Sequence, residues 1–312
     1  MASLQVFDRL VARCHGLKRA PFAVVAPTTD VALSGAVSAA AAGLIEPILV
    51  GDEGRIRELA KELSIDLSKV RLIDAPDELE AAQKAVALCR EGGARGLMKG
   101  ALHTDTLMHA VLDPKLGLRT TRRVSHVFVI DAPAYPRPLL VTDAAINIYP
   151  TLEEKVDILK NAIELAHALG IPTPNVAILS AVETVSPKIE STVDAAALCK
   201  MADRRQITGA VLDGPLAFDT AVSAEAAAIK QLVSPVAGVA DILLVPDLES
   251  GNMLAKQLEY LGGAELAGVV LGARVPIILT SRADSVRARM ASCAAAVLYA
   301  DARRRAAAAP AA

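Results

Sequence analysis

Short apolar runs recur along this chain, and stretches with helical spacing separate many of them. The eleven runs cover residues 22–26, 47–50, 70–73, 96–98, 127–130, 139–141, 176–179, 210–212, 242–245, 268–271 and 277–279. In the segment 152–169, for example, Val156, Leu159 and Ile163 fall on one face of a helix. Alternation of strands and helices predicts an α/β fold with mainly parallel sheets and right-handed crossovers.

Eleven strands are many for a single sheet, so the sequence predicts two α/β domains. Thr151, with Glu154 three residues later, forms a capping-box pattern that predicts a helix start. We place the domain boundary just before this helix. The expected domains are therefore residues 1–146 plus 276–312 and residues 147–275, with the active site in the cleft between them.

Composition narrows the class of protein. Hydrophobic residues make up 53% of the chain but aromatic residues only 3%, with no tryptophan, so alanine, valine, leucine and isoleucine must fill the cores. The formal net charge of -2 gives no signature of nucleic-acid binding. No signal peptide is indicated, and no apolar run reaches the roughly 18 residues of a membrane span. We expect a cytoplasmic protein without nucleic-acid or membrane partners.

Cysteines and histidines are scattered rather than clustered. The four cysteines form no Cys-x-x-Cys pair, and the five histidines are equally dispersed. This usage predicts reduced thiols and no zinc site. The last helix is expected over about residues 285–299, and the alanine-rich and arginine-rich tail beyond it is expected to fray.

The most informative polar stretch follows the last apolar run directly. Residues 280–285 read Thr-Ser-Arg-Ala-Asp-Ser. Ligands bind at strand ends in α/β sheets, and a guanidinium among hydroxyl donors suits a phosphate or a developing oxyanion. Alternatively, Asp284 or Ser285 simply caps the following helix. Capping does not explain Arg282 at this junction.

Four other predicted strand ends carry polar groups: Lys99 to Thr106, Asp143 with Asn147, Asp213 to Asp219, and Asp247 to Asn252. Asp213 is either a cleft carboxylate or a turn cap, and Asp247 is either part of a binding site or a helix cap. A lone histidine such as His103 is more often structural than catalytic. No nucleotide-binding or hydrolase fingerprint occurs. These residues alone indicate a two-domain enzyme for a small anionic substrate.

Six motifs in order are more specific than any single one. They are Lys-Gly-x-x-His-Thr at 99–104, Val-Thr-Asp-Ala-Ala-x-Asn at 141–147, Leu-Ser-Ala-Val-Glu-Thr-Val at 179–185, Asp-Gly-Pro-Leu-Ala-Phe-Asp at 213–219, Ser-Pro-Val-Ala-Gly-x-Ala-Asp-Ile-Leu-Leu-Val-Pro-Asp at 234–247, and Leu-Thr-Ser-Arg-Ala-Asp-Ser at 279–285. This set closely resembles the phosphate acetyltransferase/phosphate butyryltransferase family over about residues 22–299. The resemblance implies a homodimer of two-domain subunits related in fold to isocitrate and isopropylmalate dehydrogenases. It also implies reversible acyl transfer between coenzyme A and inorganic phosphate, with coenzyme A as a substrate and no bound cofactor or metal.

The same resemblance implies roles for individual residues. Ser281 matches the active-site serine of the family, and Arg282 would hold the phosphate. In the acetyl-specific branch of the family an aspartate lies several residues after the Ser-Arg pair. Ala288 stands at that place here, so Asp284 is the nearest carboxylate and the candidate for the catalytic base. The expected substrate-binding residues are Lys99, Gly100, His103, Thr104, His109, Asp143, Asn147, Asp213, Gly214, Asp219, Gly238, Asp247, Gly251 and Asn252.

Some features depart from the family pattern or leave alternatives open. His109 stands where relatives often have an arginine, so part of the phosphate contact is expected from His109, Arg119 or Arg122. The form of the motif at 280–285 resembles the butyryltransferase side, which leaves the acyl chain open. Two other functions compete: a metal-dependent decarboxylating dehydrogenase of the same fold, and a catalytically inactive binding protein. No aspartate cluster for the first can be assembled, and the Ser281–Arg282 pair argues against the second.

Overall fold

The computed structural model of the chain describes residues 5–279 and 284–308. It separates into two compact units. The terminal unit comprises Phe7–Arg122 and Ala267–Ala312, and the middle unit comprises Arg123–Leu266 with Met1–Val6. The sequence predicts domain boundaries at 146/147 and 275/276, which differ from the boundaries of these compact units. The predicted domains stay a prediction.

The described residues form eleven helices and eleven strands. In chain order they are α1 (Val6–Cys14), β1 (Ala20–Val25), α2 (Asp30–Ala41), β2 (Ile45–Gly51), α3 (Glu53–Glu62), β3 (Arg71–Asp74), α4 (Glu78–Arg90), β4 (Leu97–Lys99), α5 (Thr104–Val111), β5 (Ser125–Asp131), β6 (Leu139–Thr142), α6 (Leu152–Ala168), β7 (Asn175–Leu179), α7 (Glu190–Asp203), β8 (Val211–Leu216), α8 (Phe218–Val222), α9 (Ala224–Ile229), β9 (Ile242–Leu244), α10 (Leu248–Tyr260), β10 (Glu265–Leu271), β11 (Ile277–Ile278) and α11 (Val286–Ala308). Each of the eleven apolar runs coincides with a strand, which confirms the α/β prediction.

Strands of the terminal unit lie in the order β3-β2-β1-β4-β11-β10. β1 pairs in parallel with β2 and with β4, and β11 pairs in parallel with β4. β10 and β11 are antiparallel, because the 272–276 connection is too short for the crossover of about a dozen residues that parallel neighbours need. The carboxyl ends of β1, β4 and β11 therefore meet at one edge.

In the middle unit the strand order is β5-β6-β9-β7-β8. β9 pairs in parallel with β6 and β7, and β7 pairs in parallel with β8. Only the β5–β6 pair is antiparallel among the pairings that the described residues make in this unit. Its connection is again short, and three prolines at 133, 136 and 138 exclude a helix there.

Helix signals in the sequence are largely confirmed. The Thr151 hydroxyl accepts from Glu154 N, and the Glu154 carboxylate accepts from Thr151 N, so the predicted capping box opens α6. The prediction that the C-terminal tail frays was wrong for the described residues, because α11 continues to Ala308. Arg303 lies over the Tyr299 ring at 5.8 Å and donates to Ala273 O, which extends the helix beyond the predicted end. None of the helices seen in the described ranges combines the length and apolar character that crossing a membrane requires.

Candidate active site

At the edge of the sheet where β1 and β4 end, the backbone of Gly100 lies close to the backbone of Val25 and Ala26. Val25 aligns with Lys99, and Gly100 N donates to Val25 O at 2.8 Å. A Cβ atom at position 100 would collide with the carbonyl oxygens of Val25 and Ala26, so only glycine fits there. The half-buried Lys99 Nζ donates to Leu102 O at 2.9 Å. The predicted residues Lys99 and Gly100 thus shape the turn that follows β4.

Three further predicted residues lie on α5, just after this turn. His103 occupies the N-cap position of α5, but its side chain makes no capping hydrogen bond. Thr104 is the first helical residue, and His109 lies in the last turn. His103 and His109 are exposed to solvent, and Thr104 is half-buried. These side chains are accessible, and their predicted substrate contacts stay predictions.

A cavity of about 370 Å³ opens beside Ala26 at the ends of β1, β2 and β3. Its polar lining includes Asp52, Asp77 and Arg55. Asp52 accepts from Arg55 N and caps α3, while Asp77 accepts from Glu80 N and caps α4. These carboxylates belong to the helix caps, and their charge opposes the binding of a phosphate.

Ser281 and Arg282, the central pair of the sequence prediction, lie outside the described residues. The chain is described again from Asp284, which is half-buried. Ser285 Oγ accepts from Ala288 N at 3.0 Å and so caps α11. The sequence offered Asp284 or Ser285 as the cap of this helix, and the hydrogen bond from Ala288 N is accepted by Ser285. The role of Asp284 as a base stays a prediction, as do those of Ser281 and Arg282.

In the middle unit, Asp143 and Asn147 form a buried turn after β6. Each is 2% exposed. Asp143 Oδ1 accepts from Ala145 N at 2.9 Å and from Ile146 N at 3.0 Å, and Oδ2 accepts from the Asn147 amide group. Asn147 Oδ1 in turn accepts from Arg123 Nε at 2.7 Å. Backbone and side-chain donors of the protein thus surround the Asp143 carboxylate, which organises this turn.

His126 lies beside the turn on β5 and is 2% exposed. Its backbone N donates to Asp143 Oδ2 at 3.2 Å, and its ring packs edge-on against Phe128. Within the described ranges, no group hydrogen-bonds the buried Nδ1. Burial lowers the pKa of His126 well below its usual value, and the Asp143 carboxylate opposes this only in part. The ring is therefore neutral at pH 7.

We expect the folded protein to lose stability as the pH falls below about 6.5, the ordinary histidine value. Unfolded His126 gains a proton there while the folded ring stays neutral, so the unfolded state binds more protons and becomes favoured. The free energy of unfolding measured in urea at pH 7 and pH 5 should fall less for His126→Gln than for the wild type. The exposed His15 provides a control, since His15→Gln should keep the wild-type difference. An unchanged difference in His126→Gln would contradict the assignment.

The start of α10 packs onto the Asp143 turn. Asp247 Oδ1 accepts from Ser250 N at 2.8 Å, so the capping alternative for Asp247 is observed. A Cβ atom at Gly251 would lie 3.0 Å from Asp143 O and 2.6 Å from Val245 Cγ2, so glycine permits this close packing. Asn252 Nδ2 donates to Ala144 O at 3.3 Å. The structure thus brings Asp143, Asn147, Asp247, Gly251 and Asn252 together.

A separate group lies around β8. Asp213 Oδ1 accepts from its own neighbour Gly214 N at 2.9 Å, as expected for the turn alternative. A Cβ atom at Gly214 would lie 2.8 Å from Ile178 O, so β8 approaches β7 closely at that point. Gly238 has a positive φ of 76°, and its N donates to Thr220 O at 2.8 Å. These glycines fix backbone geometry.

An ion-pair network missed by the sequence analysis includes the predicted residue Asp219. Lys230 Nζ lies 3.0 Å from Asp219 Oδ2 and 2.8 Å from Glu183 Oε1. Thr220 Oγ1 also donates to Glu183. Hydrogen bonds from Lys230 lower the pKa of both carboxyl groups. Glu183 lies in the motif at 179–185, and its place in that motif is the sequence feature that could have identified it as a candidate site residue.

The comparisons with known proteins decide the family. A family model described as Phosphate acetyl/butaryl transferase matches residues 77–297. The chain belongs to this family. As a family member it is an acyltransferase, which confirms both the resemblance and the enzyme class.

Several relatives in the phosphate acetyl/butaryl transferase family match almost the whole chain. The chain is 60% identical to the phosphate acetyltransferase of Rhizobium meliloti, over 96% of this chain and 95% of the relative. It is 41% identical to the phosphate butyryltransferase of Clostridium acetobutylicum, over 95% and 99%. The solved structure of a branched-chain phosphotransacylase from Enterococcus faecalis V583 has a TM-score of 0.78 and 32% identity, covering 90% of this chain and 99% of that chain.

Within residues 5–279 and 284–308, no group of three or more histidine, cysteine, aspartate or glutamate side chains is arranged to hold a metal ion. All four cysteines are free thiols. Burial raises the pKa of Cys89 and Cys293 to about 12 each, so both thiols stay protonated.

Proposed function

We propose that the protein catalyses the reversible transfer of an acetyl group between coenzyme A and inorganic phosphate. The observation that carries this proposal is the similarity to the Rhizobium meliloti phosphate acetyltransferase, which exceeds that to the Clostridium acetobutylicum butyryltransferase. Coenzyme A, acetyl phosphate and phosphate are the substrates. A cytoplasmic homodimer with a two-domain fold like that of isocitrate dehydrogenase, working without bound cofactor, is part of the same proposal.

The reaction requires the thiol of coenzyme A to attack the carbonyl carbon of acetyl phosphate. A carbon–sulfur bond forms, the bond from the carbonyl carbon to the phosphate oxygen breaks, and phosphate leaves. Because an ordinary thiol has a pKa near 8.5, the thiol proton must go to a base. We assign that proton to Asp284, the charge on the carbonyl and phosphate oxygens to Arg282, and a hydrogen bond to the thiol or carbonyl to Ser281. Lys99, Gly100 and the polar residues of α5 are the proposed substrate contacts in the terminal unit.

A butyryl group is the second candidate for the transferred acyl chain. The sequence at 280–285 favours it, since its form resembles the butyryltransferase side of the family. Ala288 is 4% exposed, so this position offers a buried methyl group in place of a carboxylate. The two candidates share one mechanism and differ only in the length of the acyl chain.

One assay series tests the proposal. Coenzyme A is mixed with acetyl, propionyl or butyryl phosphate, and thioester formation is followed with and without a chelator. We expect the highest kcat/KM with acetyl phosphate and the same rate in chelator. A preference for butyryl phosphate would select the second candidate, and activity lost in chelator and restored by Mg²⁺ would contradict the metal-free reaction. Absence of turnover with every acyl phosphate would overturn the proposed function.

A further inference from the structure

Arg289, near the start of α11, is a buried arginine with an unusual target. It is 7% exposed, and its Nη2 donates to Asp284 O at 2.8 Å. The side chain therefore reaches back past the start of its own helix to a carbonyl that lies before the cap residue Ser285. Arg289 N meanwhile donates to Ser285 O at 3.1 Å, so the backbone and the side chain of Arg289 hold two successive peptide groups.

Packing inside the terminal unit fixes the stem of this side chain. A Cβ atom at Gly35 of α2 would lie 3.5 Å from Arg289 Cδ and 3.8 Å from Met98 Cε of β4. Gly35 is buried, so the arginine stem lies against the backbone of α2. Packing of the stem and the hydrogen bond to Asp284 O thus restrict the position of the guanidinium.

Burying a guanidinium is costly unless its donors are used. An apolar side chain of similar length, such as methionine, would fill the same space without the desolvation cost, and such replacements are often neutral or stabilising. Stability alone therefore gives little reason for an arginine here. Unlike methionine, the guanidinium donates a hydrogen bond to Asp284 O, which orients the peptide of that residue.

We propose that Arg289 is a positioning residue for acyl transfer, acting by holding the backbone of Asp284. The inference rests on the proposed function, in which Asp284 receives the thiol proton. An aspartate has a short side chain, so the direction of its carboxylate follows the orientation of its backbone. Asp284 is also the first residue that the structure describes after residue 279, and it comes two residues after Arg282 in the sequence.

Arg287 is a matched control on the same turn. Its guanidinium pairs with Asp8 Oδ2 at 3.1 Å and lies 5.4 Å from the centroid of the Phe7 ring, so it faces α1. Its side chain is 28% exposed, and an ion pair of this kind contributes little to stability. Arg289 thus reaches back to Asp284 O, while Arg287 of the same helical turn reaches to Asp8 of α1.

The test compares Arg289→Met, Arg289→Lys and Arg287→Met in the full chain. Arg289→Met should lower kcat by about 100-fold, the scale expected for a small misplacement of a reacting group, while KM and the melting temperature change little. Arg289→Lys should recover part of kcat, because it keeps the charge and a donor but not the planar fork. Arg287→Met should keep the wild-type kcat. Wild-type kcat in folded Arg289→Met would overturn the proposal, as would a loss of kcat explained by unfolding.

A double-mutant cycle separates positioning through Asp284 from a general structural role. If Arg289 acts through Asp284, the Asp284→Asn, Arg289→Met double variant should be no slower than Asp284→Asn alone. Losses that add up would overturn the proposal.

Backbone amide exchange gives a readout that does not need turnover. Peptides containing Asp284 and Ser285 should exchange faster in Arg289→Met and at the wild-type rate in Arg287→Met. If the wild type turns over no acyl phosphate, faster exchange would keep the positioning role and reject only the proposed function. Unchanged exchange in Arg289→Met would reject the positioning role itself.

Discussion

Replacing Asp284 with asparagine is expected to lower kcat by about 10²–10⁴-fold, the usual range for loss of a general base. Asp284 is the carboxylate nearest in sequence to the Ser281–Arg282 pair, and the family position for an aspartate holds Ala288. Asparagine matches the size of aspartate and leaves intact the cap bond that Ser285 makes to α11. The loss should shrink at high pH, where the thiol of coenzyme A ionises without help. Profiles of kcat against pH for both proteins measure this.

Ser285→Ala is the matched control for that substitution. It removes the hydroxyl that caps α11 and should lower the free energy of unfolding by about 0.5–2 kcal/mol without the same loss of kcat. If Asp284→Asn instead keeps both rate and stability, the base must be another group, such as Asp213, or the reaction needs no protein base.

The Arg282→Ala substitution is expected to lower kcat by about 10²-fold or more, the scale of losing one donor that stabilises transition-state charge. Phosphate carries negative charge as it leaves, and the carbonyl oxygen gains charge during the attack. A guanidinium can donate two parallel hydrogen bonds to such oxygens. Arg282→Lys should restore only part of the rate, since lysine keeps the charge but not the bidentate geometry. Steady-state rates with saturating substrates measure both effects.

An exposed arginine outside the motif supplies the comparison for Arg282. Arg274 lies in the connection before β11, and its side chain is exposed. Arg274→Ala should therefore retain the wild-type kcat. Wild-type rates in Arg282→Ala would remove Arg282 from the mechanism, whatever the result for Arg274.

The strands could be predicted from the sequence because apolar runs of three to five residues bounded by turns are too short for buried helices and are typical of buried strands. Strand direction was harder. The prolines between β5 and β6 and the short connection before β11 indicate antiparallel pairs, but apolar runs alone carry no direction. The end of α11 was placed too early, because the sequence does not show that Arg303 packs on Tyr299.

Site residues were less predictable, because binding sites and structural turns use the same residue types. Asp143 and Asp247 follow strands as ligand-binding residues do, yet their carboxylates accept hydrogen bonds from nearby backbone groups. Only the three-dimensional structure distinguishes a binding residue from a residue that organises a turn or caps a helix. The pairing of Lys230 with Glu183 joins residues far apart in the chain, so no local pattern could reveal it. Ser281 and Arg282 remain predictions from the motif and the family.

The terminal unit is built from two segments, and residues Arg123–Leu266 of the middle unit lie between them in the sequence. During synthesis, β4 leaves the ribosome long before its neighbour β11, and until then one side of β4 is an unpaired edge. The segment that supplies β11 also carries the Ser-Arg pair and α11. A nascent chain should therefore gain its last core strand and its proposed catalytic residues in the same late step, so that no partly folded precursor can act on an acyl phosphate.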